Sequence, residues 1–392
     1  MKFTRWRRLW ATVALATTVS PAHAENGPWD TVNIAGLQAI LASIPADGLD
    51  PADYAADRLA VATEVSGPDI APLADAAALR LAHDLFEGRR DLSARAGWHF
   101  ARLPADYRTW LDTALAGHNV EVSFTRLRPP GAAYAGLRAA MENCVRSNAD
   151  CTALRINLDR WRALPRQFGT RYLWVNIPAY RVDLVEYGRT VASHRVIVGK
   201  VGTKTPQFTT VMTGVTANPW WNVPCSIVDE SIGKMVRERP AEAARKGFVA
   251  RSDDHGKLVV RQKPGPDNAL GRIKFEMPNP YGVYLHDTQS RGLFDKDMRA
   301  YSHGCIRTDQ PEDLARRLLG PEKAGELDAA LLTFATRTIK LPVPIPVHVV
   351  YLTVEPDASA PGGFAAFGDI YGEDRREARA GTLPSENPPS RP

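Results

Sequence analysis

Two residues of this chain combine type and spacing in a way that suits covalent chemistry: His286 and Cys305, 19 positions apart. They lie in YLHDTQSRGLFDKDMRAYSHGCIRTD, Tyr284 to Asp309, with His286 ending an apolar run and Cys305 closing Ser302-His303-Gly304-Cys305. Sulfur attacks as a thiolate, which an imidazole makes available near neutral pH by taking the proton. Acyl transfer also needs donors for the developing oxyanion, and Gly304 permits the tight turn that would aim the amides of 303 to 305 at it. His303 either helps in that site or shapes the loop. Arg307 suits a substrate carboxylate through its rigid guanidinium fork, or an ion pair with Asp309 or Glu312. Trp220, Trp221 and Tyr284 are candidate cleft walls, although tryptophans in a Pro-containing stretch pack as often as they bind. Taken singly, a cysteine is usually a small buried hydrophobe and a histidine a satisfied structural residue. A zinc ion on His286, His303 and Cys305 would be crowded by the single residue between the last two. The expectation is a cysteine enzyme with neither metal nor cofactor.

These residues need a frame, and hydropathy patterning divides the chain in two. With 24% charged and 44% hydrophobic residues, 392 residues suggest an ordinary globular protein of two domains at roughly 150 residues each. Over 25–165 the pattern is helical: Ile34, Leu37, Leu41 and Ile44 share one face until Pro45 and Gly48. Further helix starts are predicted at Asp50-Pro51 and at Asp75, the latter running through Leu81 and Leu85 to Gly88. Over 166–375 the pattern is mainly β. Tyr180, Val182 and Leu184 alternate before a Tyr187-Gly188-Arg189 turn and a return run with Val196 and Val198. Further β runs cover 258–260, 283–286 and 347–354, and Pro311 opens a helix with Leu314 and Leu318 on one face. The fold class is therefore α+β, a helical scaffold domain followed by a mainly-β catalytic domain. Residues 376–392, rich in Pro, Ser, Glu and Arg, read as a disordered tail.

The N-terminus carries Lys2, Arg5, Arg7 and Arg8, an uncharged stretch from Leu9 to Val19, and Ala22-His23-Ala24. This reads as a signal peptide cleaved after residue 24, with export to a periplasm. The apolar stretch is shorter than the roughly 20 residues that span a bilayer, and no transmembrane segment is expected in the mature chain. Formal net charge is +5 including the leader, and the basic stripe with interleaved aromatics that nucleic acid requires is absent, so no nucleic-acid partner is expected. Four cysteines pair in three possible ways. A nucleophilic Cys305 must stay free, and Cys144 and Cys151 flank the short polar loop VRSNAD, which makes them the candidate disulfide and leaves Cys225 buried and inert.

The segment around Cys305 resembles the signature of the L,D-transpeptidase catalytic domain: a histidine, a loop, then Ser/Thr-His-Gly-Cys followed by an apolar and a basic or Asn residue. Here these are His286, Ser302, His303, Gly304, Cys305, Ile306 and Arg307. VNIPAY at 175–180, VIVGK at 196–200, NPWWNVP at 218–224 and PGPDNALGRIKF at 264–275 also look like the large Gram-negative branch, so the resemblance covers most of 166–375. It implies that peptidoglycan stem peptides are the partner. The Cys305 thiolate would attack the carbonyl of the third stem residue and release D-alanine. A diaminopimelate amine would then take the acyl group to give a 3→3 cross-link. It further implies that the backbone carbonyl of Asp287 orients His286 and that carbapenems acylate Cys305. Water as acceptor would make the protein an L,D-carboxypeptidase. A non-catalytic wall-binding scaffold and a papain-like protease are the other readings, and in the latter the cysteine precedes its histidine, the reverse of the order here. Two departures stand out: no peptidoglycan-binding module is evident between 127–140 and 154–165, and Cys225 replaces an expected polar or basic residue.

Overall fold

The computed structural model describes residues 28–65, 70–89, 97–101 and 105–380. The expected leader and residues 381–392 lie outside them. The helical unit comprises α1 (Thr31–Ser43), α2 (Ala56–Val65), α3 (Ile70–Glu87), α4 (Tyr107–Ala116), α5 (Val120–Leu127), α6 (Ala132–Arg146) and α7 (Thr152–Ala163). The Asp30 carboxylate caps α1 by accepting from the Asn33 N–H at 2.9 Å. Ile34, Leu37, Leu41 and Ile44 are buried, as their spacing demands. Gly48 ends this stretch at φ +71°, a conformation that favours glycine. Asp50-Pro51 starts only a single 3₁₀ turn, Pro51–Tyr54. The helix expected to begin at Asp75 begins instead at Ile70, because the Asp75 carboxylate is not a cap. It accepts from Trp29 Nε1 at 2.7 Å and Arg108 Nη1 at 2.6 Å, contacts made across helices that local spacing does not register. Cys144 and Cys151 form a disulfide with Cα atoms 5.9 Å apart, joining the end of α6 to the start of α7.

Asp47, fully buried, is the polar centre of this unit. Its carboxylate lies 2.7 Å from Arg128, 3.0 Å from Arg138 and 2.9 Å from the Tyr134 hydroxyl. Removing one member of a buried ionic cluster leaves the others uncompensated, so Asp47→Ala is expected to lose about 3–5 kcal/mol in urea unfolding. A loss below about 1 kcal/mol would show that the arginines find water instead.

The second unit is built on β1 (Arg171–Asn176), β2 (Arg181–Glu186), β3 (Arg189–Gly199), β4 (Phe208–Ala217), β5 (Trp221–Asn222), β6 (Phe248–Ser252), β7 (Leu258–Gln262), β8 (Ile273–Glu276), β9 (Leu285–His286), β10 (Ala300–Ser302), β11 (Ile306–Thr308) and β12 (Arg337–Val350). Nine strands pair in the order β10-β3-β11-β9-β8-β4-β12-β1-β2. Because β2 also pairs with β3, eight of them form a closed ring of pairings, which removes exposed edges. Its interior is filled by Leu173, Val175, Val198, Phe275, Leu285, Ile306 and Val347, among others. Two helices follow, α8 (Pro311–Leu319) and α9 (Pro321–Thr333), with Leu314 and Leu318 buried. β5, β6 and β7 form a separate small sheet, which with the helical stretch 225–245 builds a cap beside the main sheet. A third apolar cluster welds the units together, packing Tyr134, Leu137, Leu158 and Trp161 against Trp174, Val350 and Leu352.

The expected disordered tail is corrected over its first residues. A helix, α10 (Glu373–Ala380), runs through 376–380, and Arg160, 1% exposed, bonds Glu377 at 2.6 Å and Asp374 at 2.7 Å. Composition suggested disorder, but the two carboxylates neutralise a guanidinium of the helical unit, Glu377 from 217 positions away.

Candidate active site

β9 and β11 are neighbouring parallel strands, with Ile306 opposite Leu285 and Arg307 opposite His286. Side chains alternate along a strand, so Leu285 and Ile306 enter the core while Tyr284, His286, Cys305 and Arg307 share the other face. That face lines a cleft of about 430 Å³ whose far wall is supplied by Trp221, Pro224 and Ile227 of the cap. β8 adds Lys274 opposite His286.

His286 is buried, and its Nδ1 donates to the Asp287 carbonyl at 2.5 Å. That bond fixes the tautomer and leaves Nε2 as the free base. Burial, followed by the Arg307 cation, pulls the imidazole down to about 3 against the Asp287 bond, so it is neutral at pH 7. The Asp287 side chain acts elsewhere: it accepts from the Arg272 and Thr288 amides, each at 2.7 Å, and pairs with Arg291 at 2.6 Å. A Cβ at Gly271 would stand 2.3 Å from its Oδ2, so the 271–272 turn closes tightly over the carboxylate.

Burial pushes the Cys305 thiol up, opposed by hydrogen bonds from Tyr284 and by the Arg307 and Lys274 cations. Its Sγ lies 3.7 Å from the Gly282 carbonyl. Among the described residues no hydrogen bond joins it to His286, so in the resting site the two face a common cleft as neutral groups. Tyr284 packs edge-on against His286, ring centroids 5.6 Å apart, with Lys274 5.0 Å from its ring centre. The Ser302 hydroxyl donates to the Cys305 carbonyl at 2.5 Å and accepts from the Gly304 N–H at 3.1 Å, tying off the loop. Of the amides at 303 to 305, that of Gly304 is therefore already engaged. Gly304 sits at φ +112°, which a side chain would strain.

His303 turns towards the cap, where its Nε2 lies 2.8 Å from Glu230 and 3.4 Å from Lys200 Nζ. It thereby latches the cap to the loop that carries Cys305. Arg307 does not make the alternative ion pair. Asp309 pairs with Arg195 at 2.8 Å and Glu312 with Arg272 at 3.0 Å, and among the described residues no carboxylate pairs with Arg307. A half-buried cation facing the cleft without a carboxylate partner is suited to an anionic ligand. Arg307→Met is expected to lower kcat/KM about 10- to 100-fold, mostly through KM, at about 1.5–3 kcal/mol for a charge-assisted bond. With the cation gone, His286 protonates more readily, so the acid limb of the rate profile should move to higher pH. An unchanged KM would exclude the carboxylate role.

Trp221 is in the wall, whereas Trp220 lies off it, under the Arg261 guanidinium at 4.5 Å. Cys225, expected to be buried, is exposed and free, because it opens a short cap helix directly after Pro224 on the solvent side. Sequence reading missed Lys274, whose alternation with Ile273 and Phe275 signalled this face, and Glu230, which nothing local signalled. It also missed Tyr281, which lines the cleft and stacks on His99 of the helical unit at 4.1 Å.

No helix among the described residues is long and apolar enough to cross a membrane. Residues 170–345 match the L,D-transpeptidase catalytic domain and residues 21–141 match the Scaffold domain. A Haemophilus influenzae protein, itself only provisionally assigned as an L,D-transpeptidase, is 31% identical over 242 residues, 57% of this chain and 48% of its own length. The chain thus spans about half of that curated relative. An L,D-transpeptidase structure from Mycobacterium smegmatis is 15% identical, covering 46% of this chain and 58% of its own, with a TM-score of 0.23. L,D-transpeptidase 1 of Mycobacterium tuberculosis is 13% identical, covering 46% and 61%, with a TM-score of 0.21. The chain therefore carries an L,D-transpeptidase catalytic domain at 170–345, which follows a Scaffold domain at 21–141.

Proposed function

We propose that this protein is a peptidoglycan L,D-transpeptidase that works through a thioester on Cys305, in the periplasm, after removal of residues 1–24. The observation that carries the reading is the shared face of β9 and β11, which gathers a neutral base, a thiol and an unpaired cation in one cleft. A stem carboxylate docks on Arg307, which also offsets the charge that holds His286 down. His286 Nε2 takes the thiol proton as sulfur bonds to the carbonyl carbon of the third stem residue. The carbonyl oxygen becomes the oxyanion, the bond to D-alanine breaks, and the imidazolium gives its proton to the departing amine. A diaminopimelate amine then attacks the thioester and loses a proton to His286, which returns it to the departing sulfur.

The test is incubation with disaccharide-tetrapeptide and separation of the products by mass. A 3→3 dimer with released D-alanine is expected. Tripeptide without dimer would make water the acceptor and the protein a carboxypeptidase. Intact substrate, with folded protein and reduced Cys305, would overturn the enzyme reading and leave a wall-binding scaffold.

A further inference from the structure

Loop 199–205 and the C-terminal segment hold the Cys305 loop from beneath. Thr205, 3% exposed, donates from its hydroxyl to the Gly304 carbonyl at 2.8 Å and accepts from the Gly199 N–H at 2.9 Å. The Tyr371 hydroxyl donates to the Gly199 carbonyl at 2.7 Å and accepts from the Thr205 N–H at 3.1 Å. Tyr371 is itself fixed: it is 5% exposed, stacks on Tyr351 at 5.4 Å, and its N–H donates to the Tyr351 hydroxyl at 2.8 Å. The turn is close, since a Cβ at Gly199 would stand 2.1 Å from the Thr203 carbonyl oxygen. Two further bonds reach the same loop, from the Lys200 N–H and the Thr203 hydroxyl to the Ser302 carbonyl, at 2.9 and 3.1 Å.

The Gly304 carbonyl and the Cys305 N–H belong to one planar trans peptide and point in opposite directions. A bond that draws the carbonyl down towards buried Thr205 therefore turns the Cys305 N–H up, towards the cleft. Among the described residues nothing accepts from that N–H, while the neighbouring Gly304 N–H is engaged by Ser302. We propose that Thr205 and Tyr371 are positioning residues that aim the Cys305 amide as the oxyanion donor. The C-terminal segment, beyond the matched catalytic domain, is thereby part of the working site. This rests on the acyl-transfer reading above.

Two reactions of the same sulfur separate the roles. In acylation by imipenem, sulfur bonds to the lactam carbonyl carbon, the oxygen becomes an oxyanion, and the ring C–N bond breaks with the nitrogen taking a proton. In alkylation by iodoacetamide, sulfur displaces iodide and no oxyanion forms. In a Cys225→Ser background, so that Cys305 is the labelled thiol, T205V is expected to slow imipenem acylation about 10- to 100-fold. Alkylation should stay within about threefold. T205S, which keeps the hydroxyl, should recover acylation, and Y371F, which keeps the ring stack, should slow it in the same selective way and serves alone if T205V does not fold. Acylation of T205V and Y371F at the parent rate overturns the proposal. So does a parallel loss of acylation and alkylation, which marks a general disturbance of the thiol. A parent protein that is alkylated but never acylated contradicts the proposed function itself, and this inference with it.

Discussion

Cys305→Ala is expected to abolish turnover, lowering D-alanine release from tetrapeptide substrate by more than about 10⁴-fold while the protein stays folded. No other thiol lines the cleft: Cys144 and Cys151 are joined, and Cys225, exposed and free, is not part of its wall. Losing a covalent nucleophile removes the pathway rather than weakening a contact, so the residual rate is set by binding alone. Cys305 is part-exposed and lies in none of the apolar clusters of the described residues, so its stability cost should stay below about 1 kcal/mol. Thermal unfolding and substrate affinity should therefore match the parent. Cys225→Ala should leave turnover unchanged, and turnover lost in Cys225→Ala but kept in Cys305→Ala would reassign the nucleophile.

His286→Ala should cost about 10²- to 10⁴-fold in acylation, the range for a positioned base. The charge state of the resting pair makes a sharper claim. The imidazole is held down to about 3 and the thiol is pushed up, so at pH 7 both are neutral. A raised thiol loses its thiolate as pH falls, roughly tenfold per unit below its own titration. Iodoacetamide alkylation of Cys305 is therefore expected to climb about 100-fold between pH 6 and 8 without a neutral plateau. A plateau across that window would reveal a preformed thiolate–imidazolium pair and contradict the burial argument. Because D-alanine release couples proton transfer to attack, its acid limb should also lie below the ordinary histidine range.

The site was legible in sequence where its logic is local. One residue separates Tyr284 from His286 and Cys305 from Arg307, so the strand alternation that puts each pair on one face is written into adjacent residues. The Asp287 carbonyl contact spans a single residue and was implied by the family signature. What escaped is long-range. Thr205 reaches Gly304 over 99 positions and Tyr371 reaches Gly199 over 172, and neither segment carries a pattern that names its partner. Glu230 meets His303 over 73 positions for the same reason, which is why His303 read as an oxyanion or loop residue instead of a cap latch. The helical unit shows the same division. Its apolar faces were readable, but the start of α3 was misplaced because Asp75 resembles a cap until Trp29 and Arg108 are seen. The tail was misread because Glu377 counts towards a disordered composition until it meets Arg160.

The most direct test of the central claim is intact-protein mass spectrometry after mixing with a tetrapeptide-stem donor whose diaminopimelate amine is blocked, followed by peptide mapping. Without an acceptor, the mass should rise by the donor less D-alanine, with the added group on the peptide that contains Cys305, and Cys305→Ala should show no gain. An acyl group on any other residue, or D-alanine released by Cys305→Ala at the parent rate, would contradict it.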